Sequence, residues 1–181
     1  MGVTAMTESS SDPTATLPIV IDAMGGDRAP AAVVEGAVLA CKQGYGPISL
    51  VGDEARVSAE LDRHTYDSSL IKIVHAPEAI GMGENPIRAA RSKRESSMHL
   101  AYKEVVAGRG LAVVSAGNSG AFMATGILTA KRTPGCDRPS IAACIPTSHR
   151  VTVLTDVGAN VDCRAAHLVQ FAIMGATYHS L

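Results

Sequence analysis

The most constraining feature of this chain is an alternation. From Leu17 onward, short runs of Ile, Val and Leu are separated by stretches with helical spacing, and that rhythm narrows the fold before any single residue is weighed. LPIVIDAM reads as a strand, 30–43 as a helix, ISLVG as a strand, 54–63 as a helix and LIKIVHA as a strand. One long helix over 86–107, the strand LAVVSA and a helix over 119–131 continue the series. The order predicts a three-layer α/β fold, a mostly parallel sheet with helices on both faces. SIAACIPT and VTVLTDV follow with only SHR between them, which predicts an antiparallel hairpin added to that sheet, and a last helix starts near Arg164. Residues 1–16 are rich in Ser and Thr without periodicity and are expected to be a disordered tail, leaving a single α/β domain over 17–181.

A sheet covered on both faces needs aliphatic filling. The chain supplies it, with 46% hydrophobic residues but only 3% aromatics and no Trp. A net charge of -1, from 16 Lys and Arg against 17 Asp and Glu, provides no global field for nucleic acid or an anionic surface. Cys41, Cys136, Cys144 and Cys163 show no CxxC spacing, so neither a zinc site nor a redox pair is indicated and a reduced, cytoplasmic setting fits. No run reaches the ~18 apolar residues of a membrane span. The six histidines show no HxxxH spacing, and GxGxxG after the first strand, GxxxxGK[ST] and GxSxG are all absent.

In open parallel sheets, ligands sit where strands run into helices. Those turns here are MGGDRAP, APEAIGMGENP, SAGNSGA and DVGANVDC, three of which set Gly beside Asp or Asn directly after a strand. With Ser119 as helix cap in VSAGNSGA, the free N–H groups around Gly120 form the positive end of a helix dipole, and small residues let an anion of phosphate size approach. The 86–107 helix starts at Asn85-Pro86, yet Arg88, Arg91, Lys93 and Arg94 crowd its first turns, against the dipole, which points to an anionic partner. Bland readings fit the same residues: well-capped turns, a solvated charged face with an Arg91–Glu95 pair, and Asp22, Asp27, Asp156 and Asp162 as turn formers rather than bases or Mg²⁺ ligands.

Five stretches in this order, IDAMGGDRAP, PIRAARSKRESSM, VSAGNSGAFMATG, DRPSIAACIPT and DVGANVDCRAAHLVQFAIMG, resemble the bacterial phosphate acyltransferases of phospholipid synthesis, the PlsX type, over 17–178. The resemblance implies a fold like that of the isopropylmalate dehydrogenases and phosphotransacetylases. It further implies a cytoplasmic homodimer, peripherally associated with the membrane, that passes a fatty acyl group from acyl carrier protein to inorganic phosphate. The acyl phosphate would then serve a membrane-bound glycerol-3-phosphate acyltransferase. Phosphate is itself the nucleophile in such a reaction, so the protein has to hold an anion and stabilise an oxyanion. On that footing Asn118, Ser119 and Gly120 are expected to contact phosphate or oxyanion, and Arg88, Arg91 and Lys93 to bind the anion. Asp156 with Asn160 would orient the site, and Asp22, Gly25, Gly26 and Asp27 would line the opposite wall. No cofactor, metal or nucleic acid is expected. Family members run nearly twice this length, so the chain is expected to be the N-terminal half of the enzyme. A phosphotransacetylase-like or metal-dependent dehydrogenase-like enzyme, and a non-catalytic module that binds an anion or a carrier, are the alternatives.

Overall fold

The structure, a computed structural model, describes residues 17–180 apart from 149, 150, 159 and 161; the expected tail over 1–16 lies outside the described residues. Four strands, β1 (Ile19–Asp22), β2 (Ile48–Gly52), β3 (Ile71–His75) and β4 (Ala112–Val114), form a parallel sheet in the order β3-β2-β1-β4. The aliphatic runs make these strands because both faces are covered. Leu50 and Val51 are neighbours on β2, point to opposite faces, and are both 0% exposed.

Helices α1 (Ala31–Lys42) and α2 (Glu54–Leu61) cover one face, burying Val34, Val38, Val57 and Leu61 against Ile48, Leu50 and Ile71. Helix α4 (Ser97–Val106) covers the other face, setting Ala101 against Val20 and Val51. Each fully buried Val or Leu contributes about 1.5–3 kcal/mol through burial, so this double cover is the main source of stability. The short α3 (Pro86–Ser92) and α5 (Ser119–Thr129) pack on each other, and their Ala89 and Ala121 share a buried cluster with Met98 of α4. The strand order reverses between β1 and β4, so the crevice at their carboxyl ends is the place for a ligand.

Three expectations are corrected. The single helix over 86–107 is two helices, because Lys93 leaves helical backbone (φ -96°, ψ 69°) and Ser96, extended at φ -68° and ψ 152°, starts the next one by accepting from the His99 N–H. A Glu78–Ser96 bridge holds the chain open at that break. The hairpin of β5 (Ala142–Pro146) and β6 (Val151–Thr155) is not added to the main sheet but forms a separate two-stranded one, whose cover is α6 (Ala165–His179). The cap of α5 is Asn118 rather than Ser119, since it is the Asn118 side chain that accepts from Ala121 N.

Candidate functional site

The last residue of β1 sits at the strand-order reversal. Asp22 is 2% exposed, and a carboxylate so placed needs donors. It has three: Ser97 Oγ at 2.6 Å and Met24 N at 3.2 Å donate to Oδ1, and Ser115 Oγ at 2.8 Å donates to Oδ2. Ser115 Oγ in turn accepts from Gly117 N at 3.0 Å, so the carboxylate is linked through a hydroxyl to the backbone of the turn that leads into α5. Gly25 is required by this packing. A Cβ there would stand 2.7 Å from both Asp22 Oδ2 and Ser115 Oγ and 2.8 Å from Gly117 N. Gly26, at φ +103°, takes the left-handed turn against Ala116, whereas Asp27 is exposed and its side chain makes no hydrogen bond or ion pair among the described residues.

The start of α5 is built by one side chain. Asn118 Oδ1 accepts from Ala121 N at 3.0 Å, and its Nδ2 donates to the carbonyls of Met82 at 3.0 Å and Glu84 at 3.2 Å. Both amide hydrogens are thereby engaged, and among the described residues the N–H groups of Ser119 and Gly120 have no partner at the helix end. Gly120 lies against the start of α3, where its Cβ would stand 3.0 Å from Pro86 Cβ, so the positive ends of α3 and α5 meet side by side. Beside them opens a cleft of about 370 Å³ lined by Glu84, Asn85, Arg88, Ala89 and Ser92. Asn85 caps α3 by accepting from Arg88 N at 3.0 Å, and Arg88 lines this cleft without an ion pair among the described residues.

The other cations divide. Lys93 donates to Glu84 Oε1 at 2.6 Å and to the Ala79 carbonyl at 2.9 Å, fastening the 79–84 loop. The Lys93 ammonium, and then the Gly81 N–H, hold the Glu84 carboxyl below the usual carboxylate range. Arg91 is exposed and makes no ion pair among the described residues; Glu95 pairs with Lys103 at 2.9 Å instead.

Asp156 and Asn160 form a second cluster. Asp156 takes a left-handed backbone, φ +59°, its N–H donates to Ser140 Oγ at 2.9 Å, and its Oδ1 accepts from Asn160 Nδ2 at 2.8 Å. Asn160 also reaches the Pro139 carbonyl at 3.1 Å, so the pair ties the turn after β6 to the segment entering β5. Loss of solvent, and then the Asp156 charge, push the Cys163 thiol up. Among the described residues no hydrogen bond or ion pair joins this cluster to Asp22 or to the start of α5, and no group of three His, Cys, Asp or Glu side chains is placed to hold a metal ion.

A family described as "Fatty acid synthesis protein" matches residues 17–180. The chain belongs to that family. Similar relatives are named phosphate acyltransferase: one from Trichlorobacter lovleyi is 54% identical over 161 residues, 88% of this chain and 46% of the relative. Another, from Geobacter sulfurreducens, is 50% identical over 160 residues, with the same two shares of 88% and 46%. The chain thus spans about half the length of the curated relatives it matches. Among solved structures, the EutD phosphotransacetylase from Staphylococcus aureus aligns with a TM-score of 0.63 at 18% identity, over 91% of this chain and 53% of that one, a likeness of fold.

In this member of the family, the structure gathers Asp22, Gly25, Gly26, Asn118, Ser119, Gly120 and Arg88 around the carboxyl ends of β1 and β4. It engages Lys93 with Glu84, leaves Asp27 and Arg91 exposed, and places Asp156 with Asn160 apart. Ser97 and Ser115, which hold Asp22, were not singled out from the sequence. Ser115 stands inside the VSAGNSGA turn and was open to notice; Ser97 gave no signal, because it read as mid-helix. No helix among the described residues is long and apolar enough to cross a membrane.

Proposed function

We propose that this chain carries the phosphate-binding part of an acyltransferase that moves a fatty acyl group from the thioester of acyl carrier protein to inorganic phosphate. The observation that carries the reading is the start of α5, where two unpartnered N–H groups stand beside the Arg88 cleft in a chain whose relatives are named phosphate acyltransferase. Phosphate held there would be oriented by Arg88 and by the N–H groups of Ser119 and Gly120, with the helix dipole supplying further positive potential. A phosphate oxygen attacks the thioester carbonyl carbon. The C–O bond forms, the C–S bond breaks, and the carrier's thiolate leaves and takes up a proton. No side-chain nucleophile is needed, which agrees with a site built from backbone donors and one guanidinium.

Asp22 enters as a positioning residue, through Ser115 and the Gly117 N–H, and Asn118 as the brace between the α5 start and the 82–84 loop. Passage of the acyl phosphate to a membrane-bound glycerol-3-phosphate acyltransferase, with the protein working as a cytoplasmic homodimer at the membrane surface, belongs to the same proposal. Two measurements test it. Titration with inorganic phosphate should shift the Ser119 and Gly120 amide resonances, and silent amides would overturn the site. In hydroxylamine trapping of acyl phosphate, Arg88→Met should raise the KM for phosphate about tenfold or more, the loss expected for a charged hydrogen bond. An unchanged phosphate dependence would refute the role of Arg88.

A further inference from the structure

One face of α5 carries Ser119, Phe122, Met123, Gly126, Ile127 and Ala130, spaced so that all six line up along the helix. Ser119 is the first residue of that helix, at the unpartnered N–H groups, and the other five line a groove of about 270 Å³ between α5, Tyr102 of α4 and the Pro139–Ser140 segment. The Tyr102 and Phe122 rings pack with centroids 5.1 Å apart, and Gly126 is open enough for the Tyr102 hydroxyl to stand 2.9 Å from where its Cβ would be. Burial pushes the Tyr102 phenol up to about 12, so it stays neutral. The one charge on the lining is Lys131, at the far mouth.

The groove is therefore mostly apolar, with Lys131 its single charge, and it begins on the same helix face as the anion-binding end. An acyl phosphate, or the acyl thioester that precedes it, has this polarity: a polar head and a saturated tail. We infer that the α5 groove seats the fatty acyl tail, with its reacting carbonyl at Ser119 and its methyl end toward Ala130. From Ser119 to Ala130 the helix rises about 16 Å. An extended chain with C–C bonds of ~1.5 Å advances roughly 1.3 Å per carbon, so the groove accommodates about a dozen carbons. This inference rests on the proposed function and deepens it by naming what binds beside the phosphate.

The test is direct binding of non-hydrolysable acyl phosphonates of increasing chain length to the 181-residue chain, measured by calorimetry without turnover. Affinity should rise about three- to fourfold per methylene and then level off near a dozen carbons. Ala130→Phe, at the exposed far end, should move the plateau two or three carbons shorter and leave short-chain binding unchanged. Ile127→Ala, which removes bulk without adding any, should weaken the longest probes and spare the shortest. If no phosphonate binds at any length, the phosphate site itself is wrong. If phosphonates bind but both variants keep the wild-type length profile, the groove is not the acyl seat, and a covering polypeptide becomes its occupant.

Discussion

Asp22 is a carboxylate with three donors and almost no water, and each donor comes from a different part of the chain. Asp22→Asn turns one acceptor into a donor facing Ser97 or Ser115. The variant should lose about 1–3 kcal/mol in urea unfolding, the cost of a buried polar group left badly paired; a loss below 0.5 kcal/mol on that scale would show that the carboxylate is not what holds the turn. His99 makes a second test at this scale. It is buried, and its Nδ1 lies 3.2 Å from Ser96 Oγ. Burial, helped by the Arg94 and Lys103 charges, holds its pKa below the ordinary histidine value, so the fold prefers the neutral ring while the unfolded chain takes up a proton first. The contribution of His99 is therefore complete above a pH of about 6.5 and fades as pH falls through the folded-state value. The stability gap between wild type and His99→Gln should shrink between pH 7.5 and pH 5.5, and a constant gap across that range would contradict it.

Among the elements, the break between α3 and α4 depends on Ser96. Its hydroxyl accepts from His99 N at 3.4 Å, and Ser96→Ala should lower stability by about 1 kcal/mol, as loss of an N-cap does. Thermal unfolding would read this, and an unchanged midpoint would argue that the Glu78–Ser96 bridge alone sets the break. That break marks where the sequence stopped being legible. Strands β1 to β4 and helices α1, α2 and α5 announce themselves through aliphatic runs and caps, because their cover is local and periodic. Residues 93–96 contain neither Gly nor Pro, and what opens the helix there is a contact with Glu78, which no local pattern encodes. The site divides in the same way. The Gly and Asn positions of the turns could be read directly, whereas the bond from Ser97 to Asp22 spans 75 residues, and the engagement of Lys93 depends on where the Glu84 loop folds. The hairpin was legible as a hairpin; its separation from the main sheet was not, since strand periodicity says nothing about which edge a strand joins.

At the scale of the whole molecule, α6 has two unlike sides. His167, Phe171 and Gly175 are buried, the last so close to Thr155 that a Cβ would stand 2.5 Å from its Cγ2, while Leu168, Val169 and Ile173 are 58%, 60% and 62% exposed. Ile145, Val151 and Leu154 of the hairpin are also open to solvent. An apolar surface of that kind drives association. Sedimentation velocity should show the 181-residue chain self-associating as its concentration rises, and the double substitution Leu168→Glu and Ile173→Glu should reduce that association while leaving helical circular dichroism intact. A wild-type chain that remains monomeric across the accessible range would show that these side chains are not adhesive.

The pairing of β1 with β4 carries a consequence for synthesis. Ile19 meets Ala112 and Ile21 meets Val114, so β1 leaves the ribosome some ninety residues before the neighbour that closes its open edge. At a translation rate of about 5–20 residues per second, that interval is roughly 5–20 s. For most of it, Asp22 has its β1 backbone but not Ser97, which follows 75 residues later, and Ser115 arrives only after β4 itself. The crevice at the carboxyl ends of β1 and β4 is therefore completed only when β4 docks, and a nascent chain held short of that strand would present a sheet without the Ser115 and Asn118 side of the candidate site.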